Sequence, residues 1–430
     1  MLSISKSYFF GYALMFFSGL SFAETGINNA LSSSPQQRIS LHQAINDTLL
    51  HNPALKSFSY EISAQKGREY QAGLSRSPEV NFTLEDALGT GEFNGVNSAQ
   101  ATISIGWVLE GKVRQGFKGV AVAGSLALSN EVKNKQLDAA AETARLFLIC
   151  LANQARRINA DNTVKLASDT VVAVKKRVSA GNTPAAELLR AEADLTRKQL
   201  DRENIIQTLT SALHLLAAQW GEIHPEFMGV EGDIFQLPTP LTFEAFKNRL
   251  QSSPNFLRLL SDKRLKQAQL TLAQSKSEPE WRVNMGMRHF ESINEQTLVA
   301  GISIPFGERS RNEGGIRAAR EKVLQTQALQ YALKVEMETT LFILYQALQH
   351  NMRRVYAYRN KIIPNLEKAL TQTRSAYDLG RYSYFEWRSV QAELLNARTS
   401  LIEDSMAAHL KVIEIERLTG ATLVKITEQK

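Results

Sequence analysis

Residues able to do chemistry are few in this sequence, and they do not converge. It holds seven histidines, one cysteine and eight methionines. The tightest grouping is Met285, Met287 and His289, spaced two apart on one face of an alternating segment. Thioether and imidazole groups suit a soft ion such as Cu(I). The competing reading is favoured because the segment alternates with Arg282 and Arg288: the methionines cover an apolar strand face and the histidine marks its end. His350 and Met352 lie two apart on a helical stretch and do not share a face. Cys150 sits in an apolar helical run, LFLICLANQ, and reads as a buried small hydrophobe. There is no glycine-rich phosphate loop, nucleophile elbow or HExxH. No catalytic, cofactor or metal residue is therefore assigned, and an enzyme is not expected.

Two carboxylates are placed alike. Glu187 and Glu386 each follow a glycine, Gly181 and Gly380, by six residues. Each glycine closes a long helical stretch before a fresh start at Thr183-Pro184 or Ser383, as a left-handed cap followed by an N-cap demands. In chains gathered around an axis, such a carboxylate becomes a ring whose members raise one another's pKa and act on passing cations. Ser383-x-x-Glu386 is also a capping box, and the two roles can coexist. For Glu187 the competing role is plain surface solvation.

The elements that must hold these residues come twice, at an offset of roughly 200 residues. LHQAINDTLLHNP, from Leu41 to Pro53, is echoed by TFEAFKNRLQSSP, from Thr242 to Pro254. Ser77-Pro78-Glu79 is echoed by Glu278-Pro279-Glu280, and Trp220-Gly221 by Thr419-Gly420. The expected organisation is a first repeat over 24–221, a linker over 222–240, a second repeat over 241–420 and a tail over 421–430.

Each repeat holds a strand pair. Strands are expected at 79–88 and 98–108, and again at 280–290 and 296–305. In the first copy Val80, Phe82, Leu84, Ile103, Ile105 and Trp107 alternate with polar or small residues; in the second, Trp281, Val283, Met285 and Met287 do so. Strands of about ten residues with one apolar face can cross a bilayer at a tilt. Trp107, Trp281, Phe290 and Phe306 are the lipid-facing or girdle candidates. Four strands cannot close a membrane barrel, which needs at least about eight, so several chains must share one.

The helices make the same demand. Long helices are expected at 113–180 and 184–220, and at 312–379 and 384–419. Met337, Leu341, Leu344, Leu348, Met352 and Val355 form a coiled-coil seam. A helix of this length runs roughly 100 Å, and it needs neighbours. Pro364 is expected to bend its helix or break a backbone bond.

Residues 1–23 read as a secretory signal, with Lys6, an apolar stretch from Tyr8 to Leu20, and Ser21-Phe22-Ala23 before the cut. No cysteine follows the cut, so a lipid anchor is not expected. The net charge of +7 is spread without a dense basic run, which excludes a nucleic-acid-binding reading.

The run Pro364-x-x-Glu367-x-Ala369-Leu370, then Ala376-Tyr377-x-x-Gly380-Arg381-x-Ser383-Tyr384-x-Glu386 and Gln391-x-x-Leu394, resembles the second helix hairpin of the TolC family of outer-membrane efflux proteins. Asn52-Pro53-x-Leu55, Gln71-Ala72-Gly73-Leu74 with Pro78, and Glu85-Asp86 before a glycine-rich loop are similar to its CzcC-like heavy-metal branch. The resemblance implies a mainly α fold with a small β part: a homotrimer whose chains each give four strands to a twelve-stranded barrel and their helices to a long coiled-coil periplasmic tunnel. It also implies an outer-membrane location, a periplasmic adaptor protein and an inner-membrane proton-driven pump as partners, and a closed tip built by the hairpins around Gly181, Glu187, Gly380, Arg381 and Glu386. The family's second acidic ring position falls on Ser389, which is not acidic.

The expected function is a passive exit duct in a tripartite resistance-nodulation-division-type system, for heavy-metal cations. The alternatives are a duct for organic toxicants or secreted polypeptide, and a soluble periplasmic coiled-coil adaptor.

Overall fold

The computed structural model describes residues 38–420; the expected signal at 1–23 and the tail at 421–430 lie outside the described residues. In chain order the elements are β1 (Arg38–Ile39), α1 (Leu41–His51), α2 (Pro53–Gly73), β2 (Glu79–Glu85), β3 (Gln100–Leu109), α3 (Gly111–Ser179), α4 (Ala185–Ala217), β4 (Gly229–Val230), α5 (Phe243–Arg249), α6 (Pro254–Ser275), β5 (Trp281–Phe290), β6 (Glu295–Ser303), α7 (Glu308–Arg311), α8 (Glu313–Ala357), α9 (Ile363–Asp378) and α10 (Tyr384–Thr419).

Local chemistry sets the helix starts. Ser40, Asn52, Thr242, Ser253 and Ser383 each accept the backbone N–H three residues on. Pro53 and Pro254 sit in the first turn, where an N–H has no helical partner. α3 alone has 69 residues, about 100 Å at 1.5 Å per residue.

The stretch expected as one helix over 312–379 is interrupted. Pro364 has no N–H to give to the preceding turn, and the chain widens into a π turn over Tyr358–Ile362 just before it. β2 also stops earlier than expected, because Asp86 and Leu88 take positive φ values of 54° and 62° that turn the chain out of the strand.

Burial concentrates in three places. One core joins α1, α3, α4 and β4 through Ala44, Ile45, Phe147, Leu151, Leu216 and Val230. A second joins α5, α8 and α10, where Met337, Leu341 and Leu348 of the seam meet Phe246, Val412 and Ile415. The third lies at the hairpins. Within the 222–240 stretch β4 pairs in parallel with β1, and the Gln154 side chain brackets Val230, donating to its carbonyl and accepting from its N–H.

The larger sheet has the order β2-β3-β5-β6, antiparallel throughout. The central β3–β5 pairing joins segments far apart in the chain. β2 and β6 each have one strand neighbour, so each presents an open edge.

Candidate functional site at the hairpin tip and the strand quartet

Two helix hairpins, α3–α4 and α9–α10, turn in the same way. Gly181 and Gly380 take left-handed φ values of 71° and 76°. In the first, Asn182 N–H reaches the Arg177 carbonyl and Gly181 N–H the Val178 carbonyl; in the second, Arg381 N–H reaches Ala376 and Gly380 N–H reaches Tyr377. Both are the six-to-one and five-to-two pairs that close a helix on a left-handed residue.

The restarts differ. At α10, Ser383 Oγ accepts Glu386 N–H at 3.3 Å, and Glu386 Oε2 accepts Ser383 N–H at 2.7 Å, a complete capping box. These bonds, the backbone one first, hold the exposed Glu386 carboxyl below its usual pKa. At α4 the N-cap is Pro184, which has no side-chain bond to give; Thr183 instead donates its hydroxyl to Glu187 Oε2 at 3.2 Å.

Between the hairpins lies a cluster that sequence reasoning did not single out. Tyr377 and Trp387 stack, with Val174, Ala191 and Tyr384 buried around them. The Arg177 guanidinium sits 4.5 Å from the Tyr377 ring centroid and donates to the Tyr377 carbonyl. Arg388 pairs with Asp194 at 3.1 Å, and the buried Gln391 amide donates to Thr170 Oγ1 at 2.9 Å. Burial, followed by the nearby Glu187 charge, pushes the Tyr377 hydroxyl above its ordinary pKa. The available signal was the pair of large aromatics flanking Gly380.

In the sheet, register sorts the residues onto two faces. Val80, Ile105, Met285 and Ala300 form one cross-strand row, and Phe82, Ile103, Met287 and Leu298 the next. Most of these side chains are bare in the single chain, Phe82 being 70% exposed. The other face carries Arg282, Asn284, Gly286 and Arg288. There Arg288 ties three strands together, donating to Thr102 at 2.9 Å, Gln100 at 3.0 Å and Glu85 at 2.8 Å.

Trp107 and Trp281 lie on the apolar face, whereas Phe290 does not. The period of two puts Phe290 with Arg282 and Arg288, so the expectation that it lines the lipid side is corrected. Phe306 lies past the end of β6 and is 94% exposed.

Residues 44–222 match the family model described as outer membrane efflux protein. Over these residues, somewhat under half of the chain, the sequence is similar to that family.

The similarity to known proteins extends beyond that match. The cobalt-zinc-cadmium resistance protein CzcC of Cupriavidus metallidurans is 22% identical over 382 residues, 89% of this chain and 90% of the relative. The nickel and cobalt resistance protein CnrC of the same organism is 24% identical over 66% of this chain and 67% of its own length. Among solved structures, CusC, whose crystal structures concern folding and transmembrane channel formation, superposes with a TM-score of 0.74 at 15% identity, covering 89% of this chain and 92% of CusC. That likeness extends the fold over both halves of the chain.

Among the described residues no group of three or more His, Cys, Asp or Glu is arranged to hold a metal, and no helix is long and apolar enough to cross a membrane. The Met285 and Met287 side chains share the apolar face with His289, whose Nε2 lies 3.2 Å from Glu291. Burial pushes the Cys150 thiol up to about 12, far from a reactive thiolate.

Proposed function

We propose that three copies of this chain form the outer-membrane exit duct of a tripartite efflux system and pass heavy-metal cations, working with a periplasmic adaptor protein and an inner-membrane proton-driven pump. The observation that carries this reading is the strand quartet: an apolar face bare of protein, a polar opposite face and an open edge at each side. Twelve strands from three chains remove every open edge and put the apolar face against lipid.

An internal two-fold repeat underlies the chain. Gly221 faces Pro53 at the first repeat's end as Gly420 faces Pro254 at the second's, which supports it. The tip is assigned to Gly181, Glu187, Gly380, Arg381 and Glu386, with Glu187 and Glu386 each repeated around the axis. Trp107 and Trp281 serve the membrane interface. The family and the metal-resistance relatives support passive conduction, with no enzymatic step. Purified full-length protein is expected to behave as a trimer in detergent and to give discrete conductance steps in a planar bilayer. Deletion is expected to sensitise cells to zinc, cobalt, cadmium or nickel before dyes or detergents. A folded monomer that passes no ions would overturn the reading.

A further inference from the structure

At the helix-bearing end of the sheet lies a recess of about 610 Å³ with an unbalanced charge lining. Its walls carry four cations, Arg76, Lys276, Arg282 and Arg311, against two carboxylates, Glu278 and Glu280. Both carboxylates are already engaged: Glu280 pairs with Arg76 at 3.1 Å and Glu278 with Lys112 at 2.7 Å. Arg76 is itself shared with Glu110 at 2.8 Å. With Lys112 and Glu110 included, five cations face three carboxylates, and the net excess of two rests on Lys276, Arg282 and Arg311, which have no carboxylate within ion-pair distance among the described residues. The Lys276 ammonium is held 5.0 Å from the Phe117 ring centroid, a contact that places it without neutralising it.

The register decides which way this charge faces. Arg282 pairs with Ser303, and both lie on the face that carries Asn284 and Arg288, away from Trp281 and the methionines. The recess thus belongs to the wet side of the sheet, where strands meet helices. Like charges gathered in a concave wall focus a positive potential. Guanidinium forks match the oxygens of phosphate and carboxylate groups, and an ammonium adds a point charge.

We propose that this recess is an anion site that takes a phosphate-type oxyanion on the lumenal side of the strand-to-helix junction. The inference rests on the duct reading above, because the lumen exists only when chains assemble. In a conduit for cations, such a site supplies a fixed station for counter-anions at the entrance to the barrel. The oxyanion comes either from solution or from a lipid headgroup reaching the junction.

The test uses the full chain, first in detergent and then in neutral phosphatidylcholine bilayers. Calorimetric titration with inorganic phosphate is expected to show saturable binding in the wild type. Arg282→Gln combined with Arg311→Gln is expected to weaken it at least about tenfold, because two charge-assisted hydrogen-bond donors are lost. Lys276→Gln alone provides a second, milder variant should the double variant not assemble, with a smaller loss expected. Arg145→Gln, which alters a pair with Glu142 much farther along α3 than the recess-lining Val113 and Phe117, is expected to bind like the wild type. In bilayers, phosphate is expected to shift the reversal potential in a salt gradient. If phosphatidylglycerol abolishes that shift and native mass spectrometry finds this lipid retained by the wild type and lost by the double variant, the headgroup is the source. If the shift persists, the source is the free anion. Normal conductance with equal phosphate affinity in wild type and both variants would sink the anion site while leaving the duct intact; absence of conductance would instead sink the duct.

Discussion

The Tyr377 ring lies on the Trp387 indole, with centroids 4.9 Å apart and planes inclined by 29°. The two residues flank the Gly380 turn, one ending α9 and the other opening α10. The stack therefore sets how the hairpin closes, and the Arg177 guanidinium of α3 lies over the Tyr377 ring. Trp387→Ala removes a side chain that is 1% exposed and is expected to destabilise the tip by about 3–5 kcal/mol. Tyr377→Phe should act in the opposite direction. The Tyr377 hydroxyl is buried without a hydrogen-bond partner among the described residues, so deleting it removes a desolvation cost of about 1–3 kcal/mol while keeping the ring. Thermal melts in detergent check both; a lower Tm for Tyr377→Phe would mean that the hydroxyl is used in the assembled protein.

Glu386 offers a separation of capping from conduction. Its carboxylate accepts from the backbone N–H and the hydroxyl of Ser383. Glu386→Gln keeps an acceptor at the third helical position, so little change in Tm is expected. In the proposed assembly the same variant removes the charge of a carboxylate ring, so block by multivalent cations should weaken. Ser383→Ala makes the converse change, with a cost of about 0.5–2 kcal/mol and cation block retained. The sign of the pH effect follows from the lowered pKa: the cap's charge-dependent contribution is present above the ordinary carboxylate range and is lost as pH falls through the folded value. Bilayer block titrations and melts across pH check the pair.

Much of this was legible because periodicity survives folding. The alternation of Val80, Phe82 and Leu84 fixed β2, and Gly380 before Ser383 fixed the hairpin turn, since each signal depends on a residue's own backbone preference. The seam read from Met337 to Val355 is buried at Met337, Leu341, Leu348 and Val355. Two kinds of fact were not legible. Phe290 was assigned by its aromatic type, whereas parity with Arg288 decides its face. The Arg177–Tyr377 contact joins residues 200 positions apart, and only the pairing of the two hairpins brings them together. The break before Pro364 was anticipated in kind; its form, a π turn, depends on how the neighbouring helices hold the chain.

Glu416 supplies a pH-dependent term in the helical body. Burial raises its pKa from 4.5 to about 7, with Arg249 opposing the shift, and Oε2 has no partner among the described residues. The folded state therefore holds the proton more tightly than the unfolded state. Its destabilising effect is absent below about pH 4.5, grows as pH rises to about 7 and is constant above that. Glu416→Gln is expected to raise stability at pH 8 by on the order of 1–2 kcal/mol, since the carboxyl is only partly enclosed. The gain should vanish at pH 4. Melts of the two proteins across that range check it; an equal gain at both ends would point to packing in place of ionisation.

Two glycines of the sheet make a closer test of how the strands pack. A Cβ on Gly286 would lie 2.3 Å from the Ile103 carbonyl oxygen and 2.6 Å from Ser104 Cβ, so backbone on the paired β3 strand would have to move. The nearest atoms to a Cβ on Gly301 belong to the Asn284 side chain, at an equally short 2.3 Å, but that amide can rotate away. Equal distances therefore carry unequal costs, because a ladder held on both sides cannot yield as a side chain can. Gly286→Ala is expected to cost about 1–3 kcal/mol or more and to reduce assembled trimer, whereas Gly301→Ala should assemble normally with a small change in Tm. Heat-modifiable mobility on gels and the yield of protein in outer-membrane fractions read the difference. Loss of assembly in both variants would mean that Asn284 is as fixed as the backbone beside Gly286.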